Sequence, residues 1–148
     1  MGKFTFNLES LFEHRTRLME LRQKEFGEAL RRLEEEREKL AALRDVYART
    51  SRDLDELKER SGQTPELGLY HAYLTRVRNT IAGQEEFVSG LAAEFEEKRK
   101  TLLDATKDKQ AVEKMKEKSY ERFVKDQDRQ EQKVMDDIAN AKAARNGK

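Results

Sequence analysis

Cysteine and tryptophan are missing from this chain of 148 residues, and proline occurs once. Without cysteine there can be no disulfide framework, thiol nucleophile or thiolate metal site, which suits a reducing compartment. No apolar run approaches the ~20 residues that cross a bilayer. The opening MGKFTFNLES lacks the hydrophobic stretch of a signal peptide. The chain is therefore expected to be cytosolic and soluble.

An excess of one charge is also lacking. Basic residues number 31 and acidic ones 30, with residues 1–60 summing to about zero and 104–148 to about +2. Binding nucleic acid through its phosphates needs a concentrated basic face, and here acids sit beside bases almost everywhere, so no nucleic-acid partner is expected. The pieces of an active site are equally scarce. The two histidines, His14 and His71, fall on different levels of a hairpin pairing and cannot share a metal or a proton relay. Glu-x-x-Glu and Asp-Asp spacings are ordinary in helices that are 41% charged, and they lack the dry pocket that shifts a catalytic carboxyl. Gly62 and Gly68 are not followed by the Gly-Lys-Ser/Thr of a phosphate loop. The chain is expected to be non-enzymatic, with no catalytic residue, metal ligand, cofactor or small-molecule substrate.

What remains is helix. A composition that is 41% charged and 36% hydrophobic belongs to long helices and coiled coils rather than to a thick-cored globule. Breakers cluster once, in SGQTPELG at 61–68. There Gly62 can adopt the left-handed conformation that closes a helix, Thr64 can cap the next, and Pro65 suits a first helical position. Near the start, Asn7 is a candidate N-cap, Glu9 complements the helix dipole, and Phe6 with Leu11 has the spacing of a hydrophobic staple. One helix is expected over about 8–60, a turn over 61–66, and a second helix over about 67–145, together a single domain spanning 1–148.

Apolar residues recur every seventh position at Phe12, Met19, Phe26, Leu33, Leu40, Tyr47 and Leu54, flanked by Leu11, Leu18, Ala29, Leu30, Leu43, Val46 and Leu57. The second helix repeats the spacing with Leu67, Leu74, Ile81, Val88, Phe95 and Leu102, accompanied by Val77, Leu91 and Ala105. Laid antiparallel, Leu54 meets Leu74, Tyr47 meets Ile81, Leu40 meets Val88, Leu33 meets Phe95 and Phe26 meets Leu102. The midpoint of that pairing lands on the turn located independently from its breakers. The fold class is all-α: two long helices in an antiparallel coiled-coil hairpin.

After Leu102 the next positions at spacing seven are Lys109 and Lys116, and apolar residues resume at Val112, Met115, Tyr120 and Phe123. This reads as a slipped phase, a stutter. The pairing rule then sets Tyr120 against Leu8 and residues near 124 against Phe4. The second helix would be about 120 Å long and the first about 80 Å, so the last ~20 residues of the second overhang by ~30 Å.

Two stretches exceed what a coiled coil requires. LYHAYL at 69–74 opens the second helix with Tyr70 and Tyr73, which either drape over the hairpin tip or anchor a partner. The overhang carries Val134 and Ile138 among Gln127, Gln130, Gln132, Asp136 and Asp137. It either frays or docks into something else.

The opening FTFNLESL at 4–11, with Arg15 and Glu20 after it, and the ending YERFVKDQDRQEQKVMDDIA at 120–139 resemble the two ends of the flagellar export protein FliJ family. The resemblance covers the whole length, including the central break. The Gln-Glu-Gln-Lys followed by an acidic pair and Ala is its most specific part. Many members carry Asp-Glu where this chain has Asp136 and Asp137. The resemblance implies a cytoplasmic component of the flagellar type III export apparatus, peripheral to the inner membrane and similar to the central stalk of rotary ATPases. Its implied partners are the hexameric export ATPase, the export gate and export chaperones. Carried onto this sequence, the ATPase-binding end would comprise Phe4, Phe6, Leu8 and Leu11 with Gln127, Gln130, Gln132, Val134, Asp136, Asp137 and Ile138. The gate contact would fall on Tyr70, Tyr73, Leu74 and Val77. The stalk of a virulence injectisome, a generic coiled-coil scaffold and a homodimeric adaptor are the rival readings.

Overall fold

The computed structural model describes residues 2–147. Helix α1 runs Glu9–Ser61 and helix α2 runs Pro65–Asn146, 53 and 82 residues respectively, and no strand occurs among the described residues. The two pack against each other as an all-α helical hairpin.

Local chemistry sets the helix ends. Glu9 lies in the first turn of α1 and Lys58 and Arg60 in its last, each complementing the helix dipole. The first α-helical bond joins the Phe12 N–H to the Leu8 carbonyl at 2.9 Å, so Leu8, not Asn7, holds the cap position. A tight turn in which the Glu9 N–H donates to the Phe6 carbonyl, at 3.1 Å, delays the helix by a residue. At the other end Gly62 has φ of 63°, and its N–H donates to the Lys58 carbonyl at 3.2 Å, closing α1 with a left-handed glycine. Pro65 is the first residue of α2. Thr64 stands just ahead of it, but its Oγ1 is buried without a hydrogen-bond partner, so the expected side-chain cap does not form.

The chain groups into two compact units. One comprises Leu21–Leu102. Its core is a single seam in which Ala29, Leu33, Leu40, Leu54, Leu67, Leu74, Val77 and Leu91 are buried. Close to the turn, Leu54, Leu67 and Leu74 form one cluster with Tyr47, Leu57 and Tyr70 packed on it. Further along, Phe95 stacks on Phe26 with ring centroids 5.0 Å apart, one heptad from the Leu33 that simple pairing assigns to it. In an antiparallel seam each side chain sits between two partners a heptad apart, and the two large rings select each other.

The seam is not wholly apolar. Gln84 Nε2 donates to the Glu36 carbonyl at 3.0 Å and to its Oε2 at 2.7 Å, while Lys39 Nζ donates to Oε1 at 2.9 Å. The Gln84 hydrogen bond first, then that of Lys39, holds the Glu36 carboxyl below the usual carboxylate range.

The other unit joins the chain up to Glu20 with the chain from Leu103 onward. Here the stutter expectation fails. Lys109 and Lys116 are only 22% and 34% exposed in their side chains, so they keep the seam positions rather than vacating them. Ala105 and Val112 are buried at the offset of three that Val77 and Leu91 keep from Leu74 and Val88. The lysine stems cover the seam while their ammonium groups lie 6.0 and 4.8 Å from the Phe12 ring centroid. Lys116 Nζ also reaches both oxygens of Glu9, at 2.8 and 3.0 Å, and Arg15 pairs with Asp108 at 3.1 Å.

Candidate functional site

The sites expected from sequence fall on two surfaces, one in each unit. In the terminal unit, residues 2–8 precede α1 without helical structure. They place Phe4 between Tyr120 and Phe123, with ring centroids 5.2 and 5.5 Å away and interplanar angles of 80° and 54°. Tyr120 therefore faces Phe4, not Leu8, because the pairing rule assumes a helical rise that this segment does not have. Gly2 lies against Gln127: a side-chain carbon added there would stand 3.8 Å from Gln127 Nε2. Phe4, Phe6, Leu8 and Gln127 are half-buried, whereas Leu11 is exposed.

Beyond Gln127 every described residue is exposed, although α2 stays helical to Asn146. Val134 is 56% and Ile138 62% exposed, one turn apart, and Met135 beside them is exposed as well. Gln130, Gln132, Asp136 and Asp137 share this open stretch. Gln132 donates to Asp136 at 3.0 Å, an i to i+4 bond along the helix. A shallow groove lined by Gly2, Gln127, Gln130, Glu131, Val134 and Met135 joins the N-terminal segment to this face. The terminal unit thus brings Gln127, Gln130 and Val134 into one groove with Gly2, while Phe4 lies short of it on Tyr120 and Phe123, and Asp136, Asp137 and Ile138 do not line it. Met135 is as exposed as the two residues it accompanies.

In the other unit, the start of α2 divides its tyrosines. Tyr70 packs on the Leu54, Leu67 and Leu74 cluster, and Tyr73 is exposed with the Arg76 guanidinium 5.9 Å from its ring centroid. Leu74 and Val77 are buried in the seam and cannot reach a partner while the helices are paired. Leu69, 72% exposed, lies in a shallow depression with Thr50, Asp53, Tyr70 and Tyr73. A large apolar residue just outside the heptad was the available signal. Arg78 Nη2 donates to the Tyr47 hydroxyl at 2.8 Å, and this bond raises the arginine's pKa further above its usual value.

Among the described residues no group of three or more His, Asp or Glu is placed to hold a metal ion, and no helix is long and apolar enough to cross a membrane. The carboxyls of Glu36 and Glu96 are both held below the usual carboxylate range, first by hydrogen bonds from Gln84 and Arg99 respectively. Both surfaces display apolar side chains among charges of both signs.

No curated protein and no solved structure matches the chain. The family model described as the flagellar FliJ protein matches residues 4–148, which takes in the two ends, the turn and both helices. The chain belongs to the FliJ family, components of the flagellar type III export apparatus.

Proposed function

We propose that the chain serves as a non-enzymatic, central-stalk-like partner of the hexameric flagellar export ATPase, entering the ring with the free end of α2. One observation carries this reading: α2 continues as helix for almost twenty residues after its last half-buried position, Gln127, and displays Val134, Met135 and Ile138 with nothing of its own to cover them. Most of a helix's stability in a folded protein comes from packing its apolar face, and a partner surface supplies the burial that the hairpin does not give here. Mixed charge around the apolar residues suits a ring, whose successive subunit faces must each be met without one deep electrostatic trap.

The start of α2, through Leu69 and Tyr73, is the surface proposed for the export gate, and chaperone handling would use the remaining exposed helix faces. Such a protein would act at the cytoplasmic side of the inner membrane without spanning it. The test is to mix the purified chain with the export ATPase and follow hexamer formation and hydrolysis. Stimulation by the parent chain and its loss in a Val134→Asp, Ile138→Asp double variant of unchanged melting temperature are the expected results. Absence of stimulation by the parent chain refutes the stalk reading; a self-associating chain in sedimentation would favour a homodimeric adaptor instead.

A further inference from the structure

We infer that Phe4 is a positioning residue: residues 2–6 form a strap along α2 that carries its pairing past the start of α1 to Gln127, and so set how much of α2 is left free. The helical partner of α2 ends at Glu9, whose carboxylate is held by Lys116 at 2.8 Å. Were that the last support, the free part of α2 would begin shortly after residue 116. Burial instead continues through Ser119, Phe123 and Gln127, and stops there.

What lies against Phe123 and Gln127 is the non-helical segment before α1. Phe4 packs one ring against two, Tyr120 and Phe123, which lie three positions apart on one face of α2. Gly2 then lies over Gln127 where a larger residue would meet the amide. Among the described residues, the backbone hydrogen bonds outside the helices include none between residues 2–6 and α2, so side chains do the holding. A segment held this way opens locally at a far lower cost than the whole fold, and a single ring can govern it.

The inference rests on the stalk reading for its consequence, because the free length of α2 matters only if that end enters a partner. Its structural half stands alone. Amide exchange is measured on the full-length chain for the parent, Phe4→Ala and Phe4→Tyr. Phe4→Ala is expected to speed exchange over 117–127 by about tenfold and leave 66–102 unchanged, as opening confined to one end requires. Phe4→Tyr keeps the ring and is expected to exchange as the parent does.

Unchanged exchange over 117–127 in Phe4→Ala overturns the strap. Equal loosening over 66–102 also overturns it, since Phe4 would then be an ordinary contributor to stability, and so does equal loosening in the tyrosine variant. The second arm titrates the export ATPase with the same variants. A loss of affinity of about fivefold in Phe4→Ala, restored in Phe4→Tyr, is expected because the helix must then be ordered on binding. Local loosening with undiminished affinity refutes the positioning role. If the parent chain does not bind the ATPase, the proposed function fails while the exchange result still decides the strap.

Discussion

Replacing Leu33 by alanine tests where the stability of this hairpin resides. Leu33 is 2% exposed, the most deeply buried large side chain among the described residues. Truncation removes three carbons' worth of burial, ~2.4 kcal/mol at ~0.8 kcal/mol per carbon group. A cavity term adds to this, but a seam only two helices wide can close partly over the gap, so the total should be about 3 kcal/mol, near the low end of such substitutions. For a chain of this length ~3 °C is lost per kcal/mol, which puts the fall in melting temperature near 9 °C.

The control is Ile138→Ala, which removes the same number of carbons from a side chain that is 62% exposed. It should stay within ~0.5 kcal/mol of the parent, because nothing is uncovered and alanine is the better helix former. Circular dichroism at 222 nm against temperature and urea measures both. Equal losses in the two variants would refute the reasoning, since they would mean that burial in the seam does not distinguish the positions.

The Glu36 carboxyl, held below its usual range first by Gln84 and then by Lys39, links stability to pH. Its contribution is present above the unfolded value near 4.5 and is lost as pH falls through the lower folded value. Between pH 6 and pH 3 the melting temperature of Glu36→Gln should therefore fall less than that of the parent, with Glu96, likewise lowered by Arg99, accounting for part of what remains. Gly62→Ala, at φ of 63°, should cost about 1 kcal/mol through backbone strain alone, as no atom stands in the way of the added carbon. Urea unfolding checks it, and an unchanged midpoint would show that the turn can close in another conformation.

The helices and the turn were readable because each rests on chemistry that one residue announces: Gly62 for left-handed backbone, Pro65 for a first turn, leucines every seventh residue for a seam. The seam between residues 103 and 123 is hidden in the sequence for an equally specific reason. Counting apolar residues treats lysine as a break, yet Lys109 and Lys116 fill seam positions with their methylene stems and set their charges on Phe12 and Glu9. Glu36 and Gln84 are hidden in the same way, since each is polar alone and the bond between them shows only once the helices are paired. Phe4 was placed roughly right beside residue 124, but a pairing rule built for two helices could not foresee a strap. At the sites, the exposed face at Val134 and Ile138 follows from counting alone. The division of Tyr70 from Tyr73, and the loss of Leu74 and Val77 to the seam, required knowing which side of α2 the hairpin covers.

The ring of Phe4 also has a place in time. It contacts residues 120 and 123, so the chain between them is more than a hundred residues long, whereas Leu54 and Leu67 meet across the turn alone. Closing a loop costs more entropy as it lengthens, by about 0.6 kcal/mol for each doubling, so contacts near the turn form readily and those joining the two chain ends gain from everything that zips before them. Phe4 is thus among the last residues to find its partners. The end that we propose enters the ATPase is completed only when residues 120 and 123 are in place, and a chain cut short of them would leave Phe4 with neither ring to meet.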